Sequence, residues 1–283
     1  MAIVTGTAGV VLAYNPEPEI LVNVKLLSQQ VDRVYVVDNS SEQASNGVLA
    51  ELALDPSVRL LPQGENVGVA AGFNAGMRAA LDHGYDDVWI FDQDSTVTEG
   101  MLARLRTARA QFGDRAGVVG PALRSHATGV VYARESGRGA VQTDVIISSG
   151  SLFSRSMLEQ IGLHDEPLFI DYVDHDICLR ARKSGFRNLK VFDAILDHRF
   201  GDAEPVRLFG RAVYLANYST LRHFYAARNR IVVVRRYGFG RWFWEDLWFT
   251  GKAWVKLVLL ESERWSKIRA ASRGIWAGLR YDL

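Results

Sequence analysis

The 283-residue sequence has a single cysteine, Cys178, and almost no excess of either charge. One cysteine excludes an internal disulfide and every zinc or iron–sulfur site that needs several cysteine ligands. It favours a reducing compartment, and we expect Cys178 to be a small buried hydrophobic side chain. The formal net charge of +1 argues against a whole-protein electrostatic footprint for nucleic acid. We therefore predict no nucleic-acid partner.

Two familiar kinds of segment are also missing. The N-terminus, residues 1–6, has no basic stretch followed by a long apolar core, so we predict no signal peptide and a cytoplasmic location. The sequence contains no G-x-x-x-x-G-K-[S/T], and the first predicted strand lacks the G-x-G-x-x-G that a dinucleotide fold places there. The sequence therefore argues against a P-loop, and the spacing of Gly68, Gly72 and Gly76 is not the dinucleotide fingerprint.

What the chain does have is an alternation of apolar runs and amphipathic segments. Runs rich in Val, Ile and Leu predict strands at 9–14, 33–38, 58–61, 87–91 and 117–120. Intervening segments predict helices at 19–30, 69–83 and 100–111. This order predicts an α/β fold with a Rossmann-like, mostly parallel central sheet flanked by helices. The rhythm changes later: residues 124–154 predict strands and a mobile loop, a helix runs from about 174 to 185, and helices follow from about 205.

The strand at 87–91 stops on two carboxylates one residue apart, Asp92 and Asp94. Open α/β sheets bind ligands at the carboxyl ends of their strands. Oxygen ligands of this kind suit Mg²⁺ or Mn²⁺, which completes its shell with substrate phosphates and water. Two other interpretations are open: a solvated turn, and the opening motif of haloacid-dehalogenase-type phosphatases, in which Asp92 would be the nucleophile.

Polar residues follow two upstream strands and open the helix near 69. Residues 14–16 and Asp38 with Asn39 end the strands, and a run of small residues follows Asn66. We expect all three to converge on one sheet edge, with Tyr14 against a base, Asp38 accepting from a uracil or thymine imide, and small residues near ribose and phosphate. The structural alternatives are an Asx turn and close helix–sheet packing.

A second acidic cluster contains Asp171, Asp174 and Asp176 within a dozen residues that also carry one histidine and two arginines. Acids in a first helical turn suit the helix dipole, but three exceed what capping needs. One of them is a candidate general base. His198, after the apolar run 191–196, is a candidate third metal ligand or an ordinary hydrogen-bonding residue.

Taken together, these segments resemble an inverting family-2 glycosyltransferase of the GT-A fold, and within it most closely the bacterial rhamnosyltransferases. The resemblance spans about 8–235 and is carried by 13–16, 36–40, 66–76, 92–94, 149–151 and 169–180. It implies a GT-A catalytic domain at 1–204, with a nucleotide-binding half at about 1–120 and an acceptor half at about 121–204. A C-terminal helical region at 205–283 follows.

The resemblance also implies a role for each matching residue. The implied nucleotide-sugar-binding residues are Ala13, Tyr14, Asn15, Asp38, Asn39, Asn66, Gly68, Asn74, Asp92, Gln93 and Gly150. The implied ligands of Mn²⁺ or Mg²⁺ are Asp92, Asp94 and His198. Asp174 matches the catalytic base, with Asp171 and Asp176 as support. Many relatives carry Glu-Asp where this chain has Val173 and Asp174, so the choice among the three acids stays open.

The implied reaction is a metal-dependent hexosyl transfer with inversion. L-Rhamnose would pass from dTDP-β-L-rhamnose to a hydroxyl of a saccharide or lipid-linked acceptor in the synthesis of a surface polysaccharide such as O-antigen. The alternatives are a UDP-hexose or galactofuranose donor, the phosphatase, and a non-catalytic nucleotide- or carbohydrate-binding protein.

The stretch 241–269 predicts a basic, Trp-rich amphipathic helix. Charged residues interrupt it, so it is a poor transmembrane span. We predict that it lies on the inner face of the cell membrane, packs on the catalytic domain or pairs two subunits as a homodimer.

Overall fold

The computed structural model describes residues 4–41, 46–125, 129–132, 135–199, 204–208, 211–215 and 217–283. The chain divides into two compact units. The first comprises Met1–Phe169 and Val173–Arg199, and the second comprises Ile170–Tyr172 and Phe200–Leu283. The short segment 170–172 therefore belongs to the second unit, although the chain on both sides of it belongs to the first.

The described residues of the first unit form a nine-stranded sheet with helices packed on it. Its strands are β1 (Val4–Ala13), β2 (Arg33–Asp38), β3 (Val58–Pro62), β4 (Tyr85–Asp92), β5 (Ser95–Val97), β6 (Ala116–Ser125), β7 (Ala140–Thr143), β8 (Ser151–Ser154) and β9 (Arg187–His198). Its helices are α1 (Glu19–Ser28), α2 (Asn46–Leu52), α3 (Gly68–Asp82), α4 (Met101–Phe112), α5 (Arg155–Ile161) and α6 (Val173–Lys183). The predicted α/β class is confirmed, and parts of the predicted loop, 126–128 and 133–134, lie outside the described residues.

The sheet has the strand order β3-β2-β1-β4-β8-β6-β9-β5, with β7 also paired to β9. The first four strands are parallel, as the strand–helix repeats predict. Beyond β4 the sheet is mixed, because β8 runs antiparallel to both neighbours, and β5 and β7 run antiparallel to β9. Strand β5 follows β4 after two residues, but it pairs with β9 and not with β4.

The apolar runs of the parallel strands are continuous because both faces of the sheet are covered. In β2, Val34 and Val36 enter one core while Tyr35 and Val37 enter the other. Helix α3 packs closely on this sheet: a Cβ added at Gly72 would lie 2.4 Å from the Leu12 side chain, and one at Gly76 would lie 2.3 Å from Val10. The small residues of α3 therefore serve helix–sheet packing at these two positions.

The described residues of the second unit form a hairpin and three helices. The hairpin pairs β10 (Glu204–Leu208) with β11 (Arg211–Leu215), and the helices are α7 (Thr220–Tyr237), α8 (Arg241–Leu260) and α9 (Arg264–Leu279). The sequence predicts helices from about 205, but the two strands of the hairpin lie there instead, and the first helix begins at Thr220. Val206 and Val213, which stand opposite each other in the hairpin, are of a residue type that favours strands. Across the described part of the chain, none of the helices combines the length and hydropathy needed to span a membrane.

Candidate active site

The carboxyl ends of β1, β2 and β4 meet at one edge of the sheet, where hydrogen bonds join the loops that follow them. The Gln93 side chain accepts from the Tyr14 N–H (2.8 Å) and donates to the Tyr14 carbonyl (3.1 Å). The Asn15 N–H donates to Ser40 Oγ (2.8 Å), and the Ser40 N–H donates to the Asp38 carboxylate (3.1 Å). The structure thus brings these predicted residues together, with the Tyr14 side chain 45% exposed.

Asn39 connects the end of β2 to the start of α3. Its N–H donates to the Ala13 carbonyl (2.8 Å), and its side-chain Nδ2 donates to Asn66 Oδ1 (3.1 Å) and to the Gly68 carbonyl (3.4 Å). Its Oδ1 accepts from the Val67 N–H (2.9 Å). The buried Asn39 amide therefore fixes the course of the loop that opens α3.

Two further predicted binding residues, Asn74 and Gly150, hold backbone segments of the first unit. The Asn74 amide is buried and bonds both the N–H and the carbonyl of His164 (2.9 Å each) and the Glu166 carboxylate (3.0 Å). The Gly150 carbonyl accepts from the Trp89 indole N–H (2.8 Å). Asn74 thereby anchors the segment that leads into the second acidic cluster, and Gly150 anchors the loop before β8.

Asp92, Asp94 and His198 form a compact cluster beyond the end of β4. Each offers one ligand atom, and these atoms lie within 4.8 Å of one another. Strand pairing produces the cluster, because β5 aligns with β9 so that Ser95 stands opposite His198. A hydrogen-bonded chain supports it: the Asp92 N–H donates to Ser149 Oγ (3.1 Å), Ser149 donates to Ser95 Oγ (2.7 Å), and Ser95 bonds His198 Nδ1 (2.8 Å).

The electrostatics of this cluster suit a divalent cation. Burial and then the neighbouring Asp92 carboxylate raise the pKa of Asp94 to about 6. Asp94 Oδ1 is buried and has no hydrogen-bond partner among the described residues. Burial also lowers the pKa of His198, which keeps the imidazole neutral, as metal ligation requires. Because an unpartnered buried carboxylate oxygen is costly, the residues present fit Mn²⁺ or Mg²⁺.

Asp174 and Asp176 lie in the first turn of α6 in different environments. The Asp174 side chain is 23% exposed and accepts from the His175 N–H (2.8 Å) and the His175 ring Nδ1 (2.9 Å). Burial raises the Asp174 pKa, but the bonds to His175 lower it more, so it stays below its usual range. Asp176 is 2% exposed and pairs with Arg180 (3.1 Å), which also donates to the Ile161 carbonyl. Asp174 is therefore an ionised, reachable carboxylate, whereas Asp176 is held in the interior.

Asp171 lies in the second unit and is held by α7. The Arg222 guanidinium contacts both carboxylate oxygens of Asp171 at 3.0–3.2 Å. The buried Asn229 amide donates to two successive carbonyls, those of Ile170 (2.9 Å) and Asp171 (2.8 Å). Asp171 is thus engaged as an ion-pair partner inside its own unit.

Comparison of the sequence with known families identifies the family of the chain. The profile of Glycosyl transferase family 2 matches residues 10–165. The chain belongs to glycosyl transferase family 2. The predicted family is confirmed, and the protein is a glycosyltransferase. The matched region includes 92–97, which assigns that segment to a glycosyltransferase and leaves the phosphatase interpretation without support.

Two relatives are similar over most of their length. The dTDP-rhamnosyl transferase RfbF of Shigella flexneri is 29% identical over 242 residues, which is 80% of this chain and 79% of that protein. The galactofuranosyltransferase GlfT1 of Mycobacterium tuberculosis is 27% identical over 256 residues, 81% of this chain and 82% of that protein.

Solved structures share the fold. S. aureus TarS 1-349, in complex with UDP-GlcNAc, has a TM-score of 0.65 at 14% identity and is matched over 96% of this glycosyltransferase and 81% of that chain. The mannosyltransferase PcManGT of Pyrobaculum calidifontis, in complex with GDP-Man and Mn²⁺, has a TM-score of 0.55 at 17% identity, over 99% and 77%. The family-2 chain therefore has a GT-A-type fold.

The glycosyltransferase also stores backbone strain next to its acidic cluster. Phe169, Asp171 and Tyr172 have φ values of 63°, 62° and 62°, although none is a glycine. Such conformations persist only where surrounding contacts enforce them, and they cluster at functional sites. Part of the enforcement comes from the Tyr172 hydroxyl, which donates to Asp246 (2.7 Å) and accepts from Arg230 (2.8 Å).

The arginines that hold the segment around Asp171 could not be predicted from the sequence. Arg222 is 51 positions from Asp171, and Arg230 is 58 positions from Tyr172. No local pattern marks them, since arginines are common on helices. The sequence of α7 offers one indication that it pairs with acids elsewhere, because it contains several arginines and no acidic residue.

Gly68 offers a test of the loop that opens α3. Its φ is +88°, and an added Cβ would lie 2.4 Å from the Phe169 ring, whose backbone carbonyl accepts from the Val69 N–H (2.7 Å). We expect Gly68→Ala to lower the free energy of unfolding by about 2–4 kcal/mol through strain and overpacking. Gly64→Ala is the matched control, because Gly64 has a φ of +75° and open space around it. Urea unfolding of both variants isolates the contact with Phe169, and equal losses would contradict it.

Proposed function

We propose that this glycosyltransferase moves L-rhamnose from dTDP-β-L-rhamnose to a hydroxyl group of a saccharide acceptor, with inversion at the anomeric carbon. The observation that carries the proposal is the metal-ligand cluster Asp92, Asp94 and His198 beside joined loops suited to a nucleoside. The choice of donor rests on similarity to RfbF, whose name describes it as a dTDP-rhamnosyl transferase. Similarity to the galactofuranosyltransferase GlfT1 supports a galactofuranose or other UDP-hexose donor as the second candidate.

In this proposal the loops after β1 and β2 and the start of α3 bind the nucleoside. The exposed Tyr14 ring packs on the base, and the Asp38 carboxylate accepts the imide N–H that thymine and uracil share. Gln93 holds the Tyr14 backbone in place. The walls of the site are shaped by Ala13, Asn15, Asn39, Asn66 and Gly68. Asn74 and Gly150 act through the segments that they anchor. Because both pyrimidines present the same imide, recognition of the sugar decides between the two candidate donors.

Asp92, Asp94 and His198 are the proposed ligands of Mn²⁺ or Mg²⁺. When bound, such an ion neutralises the negative charge of the donor diphosphate as the nucleotide departs. The hydrogen-bonded chain through Ser149 and Ser95 keeps these ligands in place.

Asp174 is the proposed general base. Its carboxylate takes the proton of the acceptor hydroxyl as that oxygen bonds to the anomeric carbon and the carbon–oxygen bond to the diphosphate breaks. The low pKa of Asp174 keeps it ionised and ready to accept the proton. Asp171 and Asp176 have supporting roles, since Arg222 and Arg180 already pair with them.

Catalysis is proposed to reside in residues 1–204, with donor binding in about 1–120 and acceptor binding in about 121–204. The proposed acceptor is a growing surface polysaccharide such as O-antigen or its lipid-linked precursor. Synthesis on such a carrier places the reaction in the cytoplasm, at the inner face of the membrane.

A donor screen tests this function. We expect dTDP-rhamnose with Mn²⁺ to raise the unfolding temperature, because a ligand that binds only the folded state stabilises it. We also expect its kcat/KM for transfer to exceed those of UDP-galactofuranose and UDP-glucose at least about tenfold, a difference of about 1.4 kcal/mol. Preference for UDP-galactofuranose would identify that compound as the donor and leave the proposed mechanism unchanged. No thermal response to any nucleotide would overturn the proposal.

A further inference from the structure

Helix α8 of the second unit carries a second apolar face that the unit does not bury. Its inner face is packed, with Trp242 3% and Leu257 2% exposed. The other apolar face, which we name the α8 stripe, has side chains that are 43–63% exposed. The α8 stripe consists of Trp244, Leu247, Trp248, Val255, Val258 and Leu259. At 100° per residue these positions fall within an arc of about 120° along the whole helix.

Basic side chains line one edge of the α8 stripe. Arg241, Lys252 and Lys256 follow one another along this edge, and the Lys252 ammonium lies 4.3 Å from the centre of the Trp248 ring. The acid on the same edge, Glu245, pairs with Arg241 at 2.9 Å. The edge is therefore net positive beside an exposed apolar surface, which is the pattern of helices that lie in a membrane interface.

Positive charge is concentrated in the C-terminal part of the chain, which contains α8. Residues 217–283 contain 13 Lys and Arg against five Asp and Glu, while the full chain has 33 against 32. Residues 1–216 are consequently acidic. The region 241–276 also contains six of the seven tryptophans, a residue that prefers the headgroup level of bilayers. A basic, Trp-rich face complements an anionic lipid surface, whereas a second copy of the chain would bring the same positive edge against itself.

We propose that the α8 stripe docks on the anionic lipid surface of a membrane, with the helix axis in the plane of the interface. Trp244 and Trp248 insert at the headgroup level, and Lys252 and Lys256 contact lipid phosphates. This inference does not depend on the donor or on the catalytic assignment, because it concerns the second unit alone.

Vesicle sedimentation of the full-length protein tests the docking without any nucleotide sugar. We expect binding to vesicles of phosphatidylglycerol and phosphatidylcholine and much weaker binding to phosphatidylcholine alone. The triple variant Trp248→Ser, Val255→Ser, Leu259→Ser should lose at least about tenfold in partition coefficient, because it removes buried apolar area. Lys252→Glu with Lys256→Glu should abolish the preference for anionic vesicles, and added salt should mimic that change.

The matched control is Val22→Ser, Leu54→Ser, Val141→Ser, which alters three exposed apolar side chains of the first unit (58%, 82% and 41% exposed). It should bind vesicles like the wild type, and circular dichroism should show all variants folded. Equal loss in the control and stripe variants would overturn the proposal. Absence of wild-type binding would do the same, as would a wild-type dimer that the stripe substitutions dissociate without any vesicle binding.

Discussion

Replacing Asp174 with asparagine should lower kcat for sugar transfer about 10²- to 10⁴-fold and leave the donor KM nearly unchanged. Asparagine keeps the shape of the side chain and can still accept from the His175 N–H, but it cannot take a proton from the acceptor. Since Asp174 is ionised in the wild-type protein, the loss should extend across the neutral pH range. Initial rates at saturating donor and acceptor, with thermal unfolding of the same preparation, measure the effect.

Asp176→Asn is the control for this experiment. Asp176 is buried and pairs with Arg180 four residues later, so the substitution should reduce the free energy of unfolding by about 1–3 kcal/mol. The folded fraction should keep most of its kcat, because Asp176 does not contact the acceptor in the proposed mechanism. A wild-type kcat in Asp174→Asn, together with a large loss of kcat in Asp176→Asn or Asp171→Asn, would identify Asp176 or Asp171 as the general base.

Replacing Asp94 with asparagine should abolish the Mn²⁺-dependent rise in unfolding temperature. It should also reduce transfer at least about 10²-fold, because charge stabilisation by a metal ion is worth several kcal/mol.

The metal-free variant should be at least as stable as the wild type near neutral pH. The folded-state pKa of Asp94 is raised from 3.8 to about 6, so its protonated form contributes stability that is complete below the ordinary pKa and is lost as the pH rises through about 6. Asparagine never carries that buried charge.

Thermal unfolding with and without Mn²⁺, measured from pH 5 to pH 8, checks this prediction. The wild-type response to Mn²⁺ should fade below about pH 6, because protons compete with the metal for Asp94. Asp82→Asn, an exposed position at the end of α3, should respond like the wild type. An undiminished Mn²⁺ response in Asp94→Asn would exclude Asp94 as a ligand.

Much of the first unit could be predicted because its signals are local. Strand β2 has the predicted bounds, 33–38, since a strand buried on both faces reads as an unbroken apolar run. The meeting of Tyr14, Asp38 and Asn66 at one edge follows from parallel strands, whose carboxyl ends share that edge. Asp92 and Asp94 are recognisable as candidates because they follow an apolar strand, at the carboxyl end where open α/β sheets bind ligands. Helix α2 was missed because its seven residues are too short for a clear periodicity.

The sequence by itself determined the α/β class, the parallel half of the sheet, the family and the acids that are candidates for chemistry. Tertiary structure decided which partners those acids have. Pairing of β5 with β9 brings His198 to Ser95 across 103 positions, and α7 holds Asp171 through Arg222, 51 positions away. The tertiary structure also buries Asp176 and leaves Asp174 partly exposed, although both lie in one helical turn. Hydrogen bonding and burial depend on neighbours that come together only in the folded chain. The periodicity of apolar residues, by contrast, is a local property and indicates only which helices and strands follow one another in the sequence.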